Sequence, residues 1–340
     1  MLIDPEVIAV NEADLCRKVE RCYRICYKSE DKMDLYSAEP FLRRFICSDA
    51  RNKHWSPLEH ARVKVTMSMF DWDVIRAWQE ARGTFFLTMK PLDIDRDELH
   101  STVSVTGNFR AWLEFIVGTK DSGCPLQTVS TYVADALADK YPAVFEPFGS
   151  GGLASGFYCE GEADDYQTFH IITTRDILQE FARHRSLSFS VESTRYCNYG
   201  KRGMMFTKPY PYAWANKIKT FKDVLGAAQY LIDRYEKDTR FYGLIRQMGS
   251  CEELFLLSTT VSELIYEQML SLGVKPQEAR MVLPGALKTE MMVTGTLNAW
   301  EHFIQLRADK AAHPQMQYIA EKIKALLCEI HPKFKRRLDS

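Results

Sequence analysis

The sequence predicts an α+β protein, and three observations carry that expectation. Val63, Val65, Met67 and Met69 alternate with Arg62, Lys64, Thr66 and Ser68, the period-two pattern of a half-buried strand. Leu15, Val19, Cys22, Tyr23 and Cys26 recur at helical spacing. Further strand signals, at 169–173 and in the segment LKTEMMVTGT, are interleaved with helical stretches, as in a sheet flanked by helices.

Taken in order, the first helix follows Asn11 and Asp14, which read as an N-cap and its reciprocal partner. A second is expected to begin near Ser37, with Pro40 in its first turn and Phe41, Phe45 and Ile46 buried. The polar stretch RNKHWSPLEH then leads into the strand of Val63. Residues 71–166 hold a Trp-rich helical piece from Trp72 to Trp78 and a strand-then-helix piece near 101–117. A loop, FGSGGLASG, follows with an acidic tail, CEGEADD. After the strand at 169–173, Thr174 can cap a helix carrying Ile177, Leu178 and Phe181, which runs into Arg183-His184-Arg185. The last third reads as mostly helical, at 220–247, 251–272 and 313–330, with LKTEMMVTGT lying between Arg280 and the helix of Trp300, Phe303 and Ile304.

One internal echo stands out. VTGNFRAWLEFI at 105–116 matches VTGTLNAWEHFI at 293–304 at Val, Thr, Gly, Ala, Trp, Phe and Ile. Two readings stay open: a pair of similar strand-to-helix corners, or a partial duplication of a ligand-binding corner.

Composition excludes several classes. The 340 residues amount to about two domains or one elaborated domain, and 46% hydrophobic with 26% charged residues is a globular mix, not a disordered one. Forty-four basic residues against 45 acidic ones give a net charge of -1, which argues against binding nucleic acid or membrane through bulk charge. No apolar run approaches the ~20 residues that span a bilayer. Asp4 and Glu6 stand where a signal peptide needs positive charge, and nine cysteines without a C-x-x-C pair fit a reducing compartment, so a cytoplasmic location is expected.

The densest polar constellation is Arg183-His184-Arg185 followed by Ser186, Ser188, Ser190, Ser193 and Arg195. Guanidinium forks, hydroxyls and an imidazole are the groups that hold an anionic phosphate ester, although a solvated basic helix end would also present such a trio. RHRSLSFSVESTRYCNY resembles the signature of the flavin-dependent thymidylate synthases, Arg-His-Arg, seven residues, then Ser193. HWSPLEH at 54–60 is similar to another block of that family. QEARMVLPGALKTE, LRAD at 306–309 and His313-Pro314-Gln315 follow its C-terminal pattern in order. The resemblance covers roughly 11–70 and 167–332.

The resemblance implies a single domain over 1–340 with an inserted subregion at about 71–166. It implies a twisted, antiparallel-rich sheet flanked by helices, assembled as a homotetramer with sites at subunit interfaces. The implied reaction makes dTMP from dUMP, with methylenetetrahydrofolate as carbon donor, FAD as cofactor and NADPH as reductant. By position, Ser56, Glu59, Arg183, His184, Arg185, Asn298, His302 and His313 would contact FAD. Glu180, Arg183, Ser193, Thr194, Arg195 and Arg280 would hold dUMP, and Arg307 would stabilise its ionised uracil as the catalytic group. Val191 stands where the family often has Gln or Glu. The family's Asn-x-Arg flavin contact falls on Thr296-Leu297-Asn298, whereas Asn108-Phe109-Arg110 matches it.

The residues agree with that chemistry. Methylating carbon 5 of uracil needs an electron-rich ring, and none of the nine cysteines follows proline, the context of the thiol nucleophile in classical thymidylate synthases. Arg307 offers the other route, stabilising negative charge, while the flavin performs the redox work. A relative acting on another pyrimidine nucleotide such as UMP, by methylation or hydroxymethylation, is the alternative. A nucleic-acid-binding protein using the Arg-His-Arg cluster is a further one. GSGGLA at 149–154 reads as a linker, His54 and His60 lack zinc spacing so no metal is expected, and KFKRR at 333–337 reads as a solvated basic tail. Tyr196 and Tyr199 suit either base stacking or an interface.

Overall fold

Residues 2–47, 54–82, 95–97, 102–152, 156–163, 165–209, 245 and 248–338 are described by the computed structural model of the chain. Its elements begin β1 (Leu2–Ile3), β2 (Glu6–Val10), α1 (Leu15–Tyr27), α2 (Ala38–Ile46), β3 (Arg62–Ser68), α3 (Met69–Arg82), β4 (Asp95–Asp97), β5 (Thr102–Asn108), α4 (Phe109–Thr119), α5 (Leu126–Lys140) and α6 (Pro142–Phe145). They continue β6 (Tyr158–Glu162), β7 (Tyr166–Thr174), α7 (Arg175–Phe181), β8 (Ser188–Val191), α8 (Tyr199–Arg202), β9 (Phe206–Thr207), α9 (Cys251–Ser271) and α10 (Pro276–Ala279). The chain closes with β10 (Lys288–Thr296), α11 (Leu297–Arg307), α12 (Pro314–Ile330) and α13 (Pro332–Leu338).

The antiparallel, helix-flanked α+β architecture is present as two four-stranded sheets instead of one. Strand order is β4-β5-β3-β6 in the first and β2-β7-β10-β8 in the second, every neighbour antiparallel. Alternation decides which face each strand buries. Val63, Val65 and Met67 with Val103 and Val105 turn inward against Trp112, Phe115 and Leu137. Phe169 and Ile171 with Met291 and Val293 pack on Trp300, Phe303, Ile319 and Ile323. Each sheet therefore has its own core, and residues 71–166 build the first of them around β3.

Several local expectations are corrected. Asp14, not Asn11, caps α1, accepting from the N–H of Cys16 at 2.8 Å and of Arg17 at 3.3 Å, because its extended backbone points the carboxylate along the helix axis. On α2 it is Leu42 and Ile46 that are fully buried, while Phe41 and Phe45 are half-buried against the Tyr23 ring. Met69 begins α3 instead of extending its strand. Part of the acidic tail is strand β6, where Lys64 and Lys18 neutralise Glu160 and Glu162 at 3.4 and 2.7 Å. Thr174 precedes α7 without capping it and accepts from Gln315 at 3.3 Å. The basic tail is helix α13, ordered because Phe334 is buried in the second core. The helix expected over 220–247 lies outside the described residues, apart from 245. No helix among the described residues is long and apolar enough to cross a membrane.

Candidate functional site

Helix α7 is anchored by Phe181, which stacks on Phe303 of α11 with ring centroids 4.8 Å apart. Its backbone closes at Ala182, so Arg183-His184-Arg185 falls in the turn just beyond the helix. Within that turn Arg183 and Arg185 face outward and His184 is buried, its ring 4.8 Å from that of Phe303. Arg307, at the end of α11, donates through Nε to His184 Nε2 at 2.8 Å. It also donates through Nη1 to Glu180 Oε2 at 2.8 Å and through Nη2 to the Glu180 carbonyl at 3.1 Å. Three of the guanidinium's five N–H donors are thus engaged, which fixes its plane.

Accepting from Arg307 requires His184 Nε2 to be without a proton. Burial first, then the Arg307 charge and neighbouring His302, push the His184 pKa down to about 4, so the ring is neutral at neutral pH. His302 itself is exposed, its ring 6.4 Å from His184.

A second group forms at the turn after β8. Ser193 donates its N–H to the Cys26 carbonyl at 3.1 Å, tying the turn to α1. Thr194 is buried and its hydroxyl accepts from Arg280 Nη1 at 3.2 Å. Arg195 is exposed, its guanidinium over the Tyr196 ring, and Ser193 Oγ accepts its N–H at 3.3 Å. Ser193, Thr194, Arg195 and Arg280 therefore share one locality, with donors suited to an anion. Tyr196 is exposed and Tyr199 buried.

A third group lines a pocket where the two sheets meet. Glu59, Arg62 and Asn108 form one wall, and Tyr166, Arg185 and Ser188 belong to the other. Glu59 ends up there because His60, the next residue, is fully buried with its ring bonded to Thr294 Oγ1 at 2.5 Å and Ser190 Oγ at 3.0 Å. Burial, then Lys18, depresses the His60 pKa to about 3, so this ring too is neutral. The Glu59 carboxylate accepts from Arg110 at 2.7 Å and its carbonyl from Tyr166 OH at 2.6 Å. Arg62 pairs with Asp165 at 2.6 Å.

The expected flavin residues are therefore only partly gathered. Glu59 and Arg185 share the pocket, and His184 lies behind Arg307. Ser56 opens a 3₁₀ turn over Ser56–His60, Asn298 is exposed on the first turn of α11, and His313 caps α12 through Nδ1. None of these three is among the described residues lining the pocket. Glu180, expected at the substrate, bonds Arg307 through its carboxylate and its carbonyl.

Sequence reasoning missed Arg62, Tyr166 and the pinning role of His60. It also missed a buried charge cluster in which Glu192 takes Lys288 at 3.0 Å and Glu290 is bonded to Lys28, Lys288 and His170. Against the upward push of burial, these partners hold the Glu290 carboxyl well below the usual range. Single strand positions such as 288 and 290 carry no motif, so only pairing could reveal the cluster. Among the described residues no group of His, Cys, Asp and Glu is placed to hold a metal.

The family described as thymidylate synthase complementing protein matches residues 166–333, the stretch that carries Arg183–Arg185, Ser193–Arg195, Arg280 and Arg307. That stretch, just under half of the chain, is similar to the thymidylate synthase complementing protein family. The chain is 26% identical over 174 residues to the probable flavin-dependent thymidylate synthase of Paramecium bursaria Chlorella virus 1, covering 51% of this chain and 71% of that one. With the flavin-dependent thymidylate synthase of Synechocystis it shares 28% over 153 residues, 45% of this chain and 61% of that protein. With that of Tropheryma whipplei it shares 29% over 184 residues, 51% and 69%. A solved structure of the UMP/dUMP methylase PolB from Streptomyces cacaoi superposes at a TM-score of 0.33 and 21% identity, over 49% of this chain and 67% of that one. That likeness is too slight to bear on the reading.

Proposed function

We propose that the chain is a flavin-dependent thymidylate synthase, making dTMP from dUMP with methylenetetrahydrofolate as carbon donor and NADPH as reductant. The observation that supports this most is the fixed Arg307 guanidinium, held by Glu180 and His184 inside the family-matched segment.

Each step assigned to the protein follows from its own side chains. Arg280, Arg195, Ser193 and Thr194 hold the nucleotide phosphate, with Arg183 alongside, through charge-assisted hydrogen bonds. Arg307 then presents its remaining N–H donors to the uracil and stabilises the negative charge that makes carbon 5 nucleophilic. Because Arg307 is oriented before the substrate arrives, little reorganisation opposes that stabilisation. His184 stays an acceptor throughout and supplies no proton.

The pocket between the sheets offers groups suited to the diphosphate part of a flavin dinucleotide. Arg185, Ser186 and Ser188 offer donors to a diphosphate. Gly107 also lines this pocket and packs closely on the buried Trp112 ring, which an added Cβ would meet at 3.0 Å. FAD bound there would supply the reducing equivalents for the transferred carbon, with Glu59 and Arg185 in contact; Ser56, Arg183, His184, Asn298, His302 and His313 are further flavin contacts that the family resemblance implies.

The test is direct. Purified protein should be yellow, and with dUMP, methylenetetrahydrofolate and NADPH it should form dTMP, while UMP offered in parallel should stay unconverted. FAD-loaded protein that forms no dTMP sinks the reading, and conversion of UMP would shift it to the related nucleotide. Arg280→Ala should weaken dUMP binding at least tenfold with flavin content intact; unchanged affinity would remove Arg280 from the site.

A further inference from the structure

The echo between 105–116 and 293–304 extends through the whole fold. Chain order in the first half is β3, α3, β4, β5, α4, α5, α6; in the second, with α8, β9, α9 and α10 inserted between β8 and β10, it is β7, α7, β8, β10, α11, α12, α13. Sheet order corresponds strand for strand, β4-β5-β3-β6 with β8-β10-β7-β2, although β2 precedes its unit in the chain while β6 follows.

Register corresponds as well. Gly107 lies opposite Val63 and Gly295 opposite Gln167, and the next helices start alike, Phe109 N–H bonding the Ala61 carbonyl and Leu297 N–H that of Asp165. Asn108 caps α4 through the N–H of Ala111, and Thr296 caps α11 through that of Ala299. The indoles of Trp112 and Trp300 each lie under the preceding glycine. The long helices end alike too, Tyr141 N–H on the Leu137 carbonyl and His331 N–H on that of Leu327. In both, proline opens the last helix, at Pro142 and Pro332, and a buried phenylalanine follows, Phe145 and Phe334. Two unrelated strand-to-helix corners would share the cap and the tryptophan. They would not share strand order, register and both helix ends across some 80 residues.

The copies have diverged in a complementary way. The position of Arg307 is taken in the first copy by Thr119, fully buried with its hydroxyl spent on the Phe115 carbonyl. The first copy therefore lacks the catalytic arginine. Conversely, the first turn of α4 carries Arg110 where α11 carries Asn298. Arg110 bonds Glu114 at 2.6 Å and Glu59 at 2.7 Å, and Glu59 faces the pocket whose opposite wall holds Arg185 and Ser188 of the second copy.

We propose that residues 61–148 are a second, non-reacting copy of the unit at 165–338, and that it completes the cofactor pocket from within the same chain, Arg110 acting as a positioning residue that fixes Glu59 against the bound flavin. This rests on the reading of the chain as a flavin-dependent thymidylate synthase. The pocket lies between the copies, its walls joined through Tyr166 OH on the Glu59 carbonyl and His60 on Thr294 and Ser190. A single chain so supplies both sides of a site that two chains would otherwise share.

The experiment titrates FAD into flavin-stripped full-length protein, following quenching of flavin fluorescence and the shape of its visible absorbance, with thermal unfolding as fold control. Arg110→Gln should raise the FAD Kd at least tenfold, Arg110→Lys should recover part of it, and Arg76→Gln, which removes an exposed ion pair of the same copy, should change nothing. Glu59→Gln should match Arg110→Gln, and the double variant should be no worse than either, as a shared role requires. Tight FAD binding that survives Arg110→Gln in folded protein overturns the proposal alone. If Arg110→Gln does not fold, unchanged affinity in Glu59→Gln overturns it. No FAD binding by the unaltered chain overturns the functional reading and this proposal together.

Discussion

Arg307 and His184 form a pair in which each sets the other's chemistry. The guanidinium bonds an unprotonated Nε2, and its charge helps to keep that nitrogen unprotonated. In the proposed role, where Arg307 stabilises charge that develops during the reaction, its loss should fall on turnover. Arg307→Ala should stay folded and yellow, with flavin that NADPH still reduces, yet form dTMP about 10²–10³ more slowly. Lysine should rescue only part, since it lacks the planar fork. Near-normal dTMP formation at saturating substrates would remove the arginine from the mechanism. The pH dependence has a definite sign. The folded His184 pKa, about 4, lies below the ordinary 6.5, so the unfolded chain takes up the proton first as pH falls. This contribution to stability is complete above about pH 6.5 and is lost as pH drops toward 4, and buried His60 acts in the same window. Acid unfolding followed by circular dichroism should show a steeper loss between pH 6.5 and 4 in the unaltered protein than in His60→Gln; equal slopes would show that His60 is not held neutral.

At the scale of elements, what was legible in the sequence is what has a period or a cap. Strand β3 announced itself because its apolar residues alternate, and α12 because Met316, Ile319, Ala320, Ile323 and Leu327 keep helical spacing. Strand β6 did not, because Glu160 and Glu162 are stabilised by lysines distant in sequence. Helix α13 was hidden for a similar reason, since a lone Phe334 among basic residues decides its docking. Phe334→Ala should therefore cost about 3–5 kcal/mol in denaturant unfolding, where a solvated tail would cost nothing measurable. The two echo glycines give a finer test. An added Cβ at Gly107 would sit 3.0 Å from the rigid indole of Trp112, whereas at Gly295 it would meet the end of the flexible Leu187 side chain, a methyl group at 2.5 Å, before any ring. Gly107→Ala should cost about 1–3 kcal/mol and Gly295→Ala clearly less; the reverse order would contradict the packing under β5.

For the whole molecule, the site motifs were readable because each is contiguous: Arg183–Arg185, Ser193–Arg195 and the segment holding Glu59 and His60. Their arrangement was not, because it depends on which strands pair and which copy each belongs to. Two copies of one fold in a chain also change what assembly requires. The resemblance implies a homotetramer of this chain; with two copies of the unit in each chain, two chains already supply four units. Each chain joins two of the units covalently, so the contacts between those two need no association between molecules and are held at high effective concentration. Light scattering on the FAD-loaded protein should then give twice the 39.3 kDa chain mass, and dilution should not weaken FAD binding at the Glu59–Arg185 pocket. A mass of four chains, with FAD affinity that falls on dilution, would mean that the pocket is completed between molecules and that the N-terminal copy serves a different contact.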